Sequence, residues 1–219
     1  MEWHHLALPV AVGLASRGPL SAWVETKMKK TSPRRTEKTA KILKSEVIYE
    51  GRSFGVRRDE LIEPTGVRTV REVVTHPGSV VVLPVLADGK IVLVRQYRHA
   101  TGQFLWELVA GRMEPGEDPK TGAARELLEE TGYRGKRFSV FLEVFPTPGF
   151  LEERMYLLLA EGLTAGEAQP EEDEKLSVGT YSRTQLERMI RRGELRDAKS
   201  IAGLLFYFRF MDKNTGKRR

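Results

Sequence analysis

The chain has 219 residues, enough for a sizeable core and for one domain with a small added piece. It has no cysteine, which excludes a disulfide framework and thiol chemistry and suits a cytoplasmic protein. The formal charge of +6 sits at the ends: eight basic residues against one acidic lie between Lys27 and Lys44, four more basic residues lie in 213–219, and the stretch 45–212 carries −4. The basic arms read as solvated tails, so no nucleic-acid partner is expected.

Residues 1–44 read as a disordered basic extension, rich in Pro, Ser, Thr and Lys and poor in periodicity. The apolar run at 6–15 follows Glu2 and two histidines and is broken by Pro9 and Gly13, so it does not read as a secretory signal. No stretch reaches the ~18 apolar residues of a membrane helix. Met28, followed by a basic run, reads as an alternative start, with 1–27 an upstream extension. From Ser45 the pattern changes. EVIYEG, SFGVRRDEL and VRTVREVVTH predict a small antiparallel β-sheet over 45–76, with turns at Glu50-Gly51 and Pro64-Thr65-Gly66. Such a sheet is too small to be stable alone. Phe54, Val56, Val70, Val73 and Val74 make it more apolar than a free sheet should be, so it must pack on the next domain or on a partner chain.

SVVVLPV (79–85) and KIVLVRQY (90–97) flank Asp88-Gly89 and predict a hairpin buried on both faces. FLWEL (104–108) predicts a further strand leading into Ala110-Gly111. Asp118 as N-cap, Pro119 as first helical residue and Gly132 as stop predict a helix of about three turns. Strands follow at 136–145, 154–160 and 175–181, then amphipathic helices at 184–192 and 198–209. The order suits an α/β sandwich with a mixed sheet between helices over 77–212, ahead of a basic tail at 213–219.

The segment 111–133 carries the chemistry. Glu126, Glu129 and Glu130 fall on one arc of the predicted helix, and Ala123, Ala124, Leu127 and Leu128 on the adjoining arc. Arg125 lies one turn before Glu129 and can pair with it. Clustered carboxylates repel one another, and a hard cation such as Mg²⁺ offsets that repulsion while keeping substrate phosphates as further ligands. Gly111, Glu117, Arg125, Glu126, Leu127, Glu129, Glu130, Gly132 and Tyr133 follow the spacing G-x5-E-x7-R-E-U-x-E-E-x-G-U, where U is aliphatic or aromatic. That pattern resembles the Nudix box. The resemblance implies a Nudix-type α/β/α sandwich that hydrolyses a nucleoside diphosphate linked to another moiety, using Mg²⁺ or Mn²⁺. It implies metal ligation by the Ala110 carbonyl, Glu126 and Glu130, helped by Glu129, with Arg125 among the catalytic residues.

GRSFGVRRDEL, REVVTHPGSVVVLPV, VRQYRHATGQFLWELVAG and FPTPGFLEERMYLLLA extend the likeness to about 45–211 and look like the ADP-ribose pyrophosphatase branch. In that branch a proline about fifteen residues past the box marks the substrate; here it is Pro148. The resemblance places at least one of Arg95 and Arg98 on the diphosphate, where arginine forks match phosphate oxygens. Phe54, Trp106 and Tyr97 are candidates to stack on adenine or to fill the core. Glu107 is a candidate for a base, a ribose group or a metal-bound water. The general base of the branch comes from a late loop, which matches 170–175; Glu172 aligns best, Glu174 second. The branch dimerises through its small sheet and completes each site with residues of the neighbour, which implies a homodimer. The expected reaction is Mg²⁺-dependent hydrolysis of ADP-ribose to AMP and ribose 5-phosphate. Alternatives are another nucleotide sugar such as GDP-mannose, a non-catalytic ADP-ribose sensor, and an RNA-end hydrolase guided by the basic arm.

Overall fold

The computed structural model describes residues 38–166 and 176–212. Glu172, Glu174, the extension up to residue 37 and the tail from 213 lie outside the described residues. Among the described residues, ten strands and three α-helices run in the order β1 (Lys41–Glu50), β2 (Gly55–Ile62), β3 (Arg68–Thr75), β4 (Ser79–Pro84), β5 (Ile91–Arg98), β6 (Gln103–Glu107), β7 (Val109–Arg112), α1 (Pro119–Thr131), β8 (Arg137–Val144), β9 (Met155–Glu161), β10 (Ser177–Tyr181), α2 (Arg183–Arg191) and α3 (Ala198–Phe210). They form three sheets, in the orders β1-β2-β3, β10-β5-β6 and β7-β4-β9-β8. The β4–β9 pair is parallel and its neighbours are antiparallel, so the mixed sheet expected from the sequence is present.

Strand β4 is buried along its whole length because both of its faces are covered. Val81 and Leu83 join Leu157, Leu186, Leu204 and Phe208 in a core under α2 and α3. Val80 and Val82 join Val94, Ala123, Leu127 and Leu158 in a second core under α1. Alternate side chains of one strand therefore enter opposite layers, which is the period-two logic of a sheet between helices. Among the described residues no helix is long and apolar enough to cross a membrane.

The expected hairpin at Asp88-Gly89 is corrected. The turn itself forms, with Gly89 at φ 81° and the Leu86 N–H donating to the Lys90 carbonyl at 2.9 Å. Beyond a single bridge between Val85 and Ile91, however, the strands part into different sheets. The segment 103–112 holds them apart: as β6 it pairs with β5, and after Leu108 it continues as β7 on β4. Two apolar runs signal burial but not which neighbour supplies it.

The small sheet also starts earlier than expected, at Lys41 rather than Ser45. Lys44 stands opposite Glu60 and Lys41 opposite Ile62, so part of the basic run is strand. Every residue of β1 is exposed, including Ile42, Val47, Ile48 and Tyr49. The sheet is joined to the body by main-chain bonds from Val74 N–H to Phe150 O (2.8 Å) and Glu152 N–H to Val74 O (3.1 Å). The Arg57 guanidinium adds an ion pair to Glu152 at 2.5 Å.

Candidate active site

Helix α1 begins where its cap chemistry requires. The Asp118 carboxylate accepts the N–H groups of Lys120 and Thr121, and Pro119 needs no such partner. It ends at Gly132, whose φ of 73° is open to glycine and strained for other residues. Ala123 and Leu127 anchor the helix on the core. That rotation turns Glu126 and Glu130 inward, at 9% and 3% exposure, while the Glu129 side chain stays 37% exposed. Gly111 of β7 lies directly beneath Glu126. A Cβ there would overlap the Glu126 carboxylate, so only glycine lets acid and strand approach this closely.

Arg125 organises the acids. Its Nε and Nη2 reach the two oxygens of Glu117 at 3.1 Å each. Its Nη1 donates to Glu126 at 2.7 Å and to Glu129 at 3.1 Å. Nη2 also donates to the Arg112 carbonyl at 3.1 Å, tying α1 to the end of β7. These bonds raise the Arg125 pKa further and hold the Glu117 carboxyl below its usual range. Glu117 in turn accepts the Glu114 N–H at 3.0 Å and closes the loop before the helix. The sequence suggested only the Arg125–Glu129 pair; Arg125 in fact bridges three acids.

Among the described residues no three acidic, histidine or cysteine side chains already converge as a cation cage. Arg125 bridges Glu117, Glu126 and Glu129 instead. The donor chemistry still fits a hard divalent cation. Glu126 and Glu130 present inward carboxylates one turn apart on the helix that packs against β7, the strand carrying Ala110.

The two expected arginines separate. Arg95 lies on the exposed face of its strand, with its guanidinium carbon 5.1 Å from the Phe104 ring centroid. Arg98 lies on the inner face and feels the charge of Glu130. Its Nε and Nη2 donate to the two oxygens of Glu107 at 2.8 and 2.7 Å. Glu107 is 1% exposed and also meets Lys199 Nζ at 2.5 Å. Burial pushes the Glu107 carboxyl up, but the Arg98 hydrogen bonds and the Lys199 charge outweigh it and hold the pKa low. Glu107 is thus a buried ion-pair residue, not an open contact for a base or ribose. No local pattern pointed to Lys199, which stands 92 positions away.

Phe54 and Tyr49, 5.8 Å apart at their ring centroids, line a cleft of about 710 Å³ with Arg52, His76, Arg112 and Glu114. The cleft runs from the small sheet to Arg112, Met113, Glu114 and Pro115, and its lining does not include Glu117, Glu126, Glu129 or Glu130. Pro148 sits in an exposed turn joined to β3 through Phe150 and Glu152. Trp106 packs edge-on against Tyr181 at 5.2 Å within the core cluster, and Tyr97 lies exposed against Phe104. Of the three stacking candidates, Phe54 lines this cleft, and Trp106 and Tyr97 do not.

Residues 75–204 match a family described as the NUDIX domain. Over 167 residues, 74% of this chain and 80% of the relative, the chain is 38% identical to a Mycobacterium tuberculosis protein named ADP-ribose pyrophosphatase. It is 35% identical over 168 residues, 76% of this chain and 91% of the relative, to a Bacillus subtilis protein of the same name. A crystal structure titled ADP compounds hydrolase superposes with a TM-score of 0.71 over 84% of this chain and the whole of that one, at 22% identity, and supports the fold.

Proposed function

The chain belongs to the Nudix hydrolase family, and from that membership we propose that it hydrolyses the diphosphate of ADP-ribose to AMP and ribose 5-phosphate. The observation that carries the substrate is the 38% identity to an ADP-ribose pyrophosphatase across most of both chains. The site supports it with a complete set of box acids and with Arg98 on the same inner side.

The reaction needs a divalent cation, which we take to be Mg²⁺. The residues that would hold it are the Ala110 carbonyl, Glu126 and Glu130, helped by Glu129. When bound it neutralises diphosphate charge and lowers the pKa of a coordinated water. Arg125 keeps Glu126 and Glu129 in place. Arg98 contributes positive charge to the diphosphate, and Phe54 offers a ring to adenine. Glu172, or Glu174 after it, takes the proton of the attacking water. A cytoplasmic setting belongs to the same proposal and is supported by the cysteine-free composition.

A homodimer is the remaining part. The exposed apolar residues of β1, on an edge strand, support a partner chain over this sheet. Phe54 would then reach the neighbour's nucleotide. The test of function is phosphate release, after coupling to a phosphatase, across a panel of nucleotide sugars with Mg²⁺. ADP-ribose should give the highest kcat/KM. A higher value for GDP-mannose, or no release from any member, overturns the reading.

A further inference from the structure

A buried carboxylate must be paired, and Arg98 already pairs Glu107 through both of its oxygens. Lys199 is a second cation on the same group, with Nζ 2.5 Å from Oε2 and a side chain only 12% exposed. Leu204 and Phe208 bury the helix, and Asp197 caps it, accepting the Ser200 N–H at 3.0 Å. The Ser200 hydroxyl donates to the same Asp197 oxygen at 2.5 Å and accepts the Leu108 N–H at 2.7 Å. The other Asp197 oxygen lies 3.0 Å from Lys199 Nζ. Residues 197–200 therefore grip the chain at the Glu107 carboxylate and at the Leu108 amide. That is the point where it leaves one sheet for the next and enters Ala110-Gly111.

We propose that Lys199 is a positioning residue for diphosphate binding, acting through Glu107 on Arg98; the inference rests on the ADP-ribose reading above. A carboxylate chelating one guanidinium cancels most of that guanidinium's field. Sharing the carboxylate with Lys199 leaves Arg98, whose side chain is 39% exposed, with more of its cationic character. Fixing Oε2 from a second direction also stops the carboxylate from rotating, so the Arg98 fork is held in one orientation. Asp197 does not undo this, because its carboxylate is engaged by the N-terminal N–H of α3 as well as by Lys199.

The full-length protein decides the matter. Lys199→Met keeps the length of the side chain and removes its charge. It should raise the KM for ADP-ribose about tenfold, a change near 1.4 kcal/mol, with kcat within about threefold. Calorimetric binding of ADP-ribose in EDTA should weaken by the same factor, whereas binding of adenosine, which has no phosphate, should not change. Lys199→Arg should recover most of the loss. Lys199→Gln repeats the test should the methionine variant fold poorly. Affinities within about twofold of the parent in the charge-removing variants, or an equal loss for adenosine, overturn the positioning role. A parent protein that neither binds nor hydrolyses ADP-ribose contradicts the functional reading itself and this proposal with it.

Discussion

Arg125 and Arg98 are both turned onto glutamates, Arg125 onto several from its own stretch of chain and Arg98 onto one that it shares with a second cation. Around Arg125 the partners Glu117, Glu126 and Glu129 lie within one short stretch, and the Arg125 side chain is a quarter exposed, less than that of Arg98. Around Arg98 the partner Glu107 is closed off from solvent, and its second cation arrives from α3. The first cluster shares one arginine among several acids; Glu117 and Glu126 are largely buried, and the solvent-exposed Glu129 bond is the one that a cation or substrate can redistribute at small cost. The second is fixed, because breaking it strands charge in a dry interior. A hydrolase that binds a polyanion needs both: movable acids where the metal and water go, and an immobile cation that sets the register of the diphosphate.

The largest expected effect is on the rigid cluster. Glu107→Gln should destabilise the fold by about 3–5 kcal/mol, since Arg98 and Lys199 lose their counter-charge; urea unfolding measures it. The same variant carries a pH signature. The folded pKa of Glu107 is depressed, so its contribution is complete above the unfolded value of about 4.3 and is lost as pH falls through the lower folded value. The parent should lose stability steeply in acid, and Glu107→Gln should show a shallower slope there. An unchanged slope would remove the distinction drawn between the two clusters.

Glu130→Gln tests the movable cluster. It preserves shape and should lower kcat by at least ~100-fold, equivalent to ~2.7 kcal/mol of transition-state stabilisation, with the melting temperature nearly unchanged. Turnover near that of the parent at saturating Mg²⁺ would sink the ligand assignment. Gly111→Ala should follow, read mainly as a reduced kcat with a smaller fall in melting temperature, because the new methyl overlaps the Glu126 carboxylate and displaces that side chain. Glu129→Gln is the smallest: its bond to Arg125 is solvent-exposed, so stability should move by less than about 1 kcal/mol.

The same contrast explains what could be read in advance. The bounds of α1 and its cap follow from residues within fifteen positions of one another, and the structure has them as expected; the expected arc of Glu126, Glu129 and Glu130 splits, with Glu129 left largely outside, and Ala124, placed on the core arc, is exposed. The demand on Gly111 was not visible, because its reason is a side chain fifteen positions later folding back over a strand. Lys199 and Ser200 gave no signal, since nothing in residues 197–200 indicates which strand α3 will meet. Separate sheets for β4 and β5 were hidden for a related reason: continuous apolar runs look alike whichever neighbour covers them. The early start of β1 was masked by Lys41 and Lys44, whose charges suggested a tail while the positions opposite them on β2 made a strand.

The most direct measurement is ³¹P NMR of ADP-ribose incubated with the parent protein and with Glu130→Gln, both with Mg²⁺. The parent should convert the diphosphate resonances into those of AMP and ribose 5-phosphate in equal amounts, and the variant should leave them standing over the same interval. An intact diphosphate with the parent, products other than these two, or equal conversion by both proteins would contradict the account.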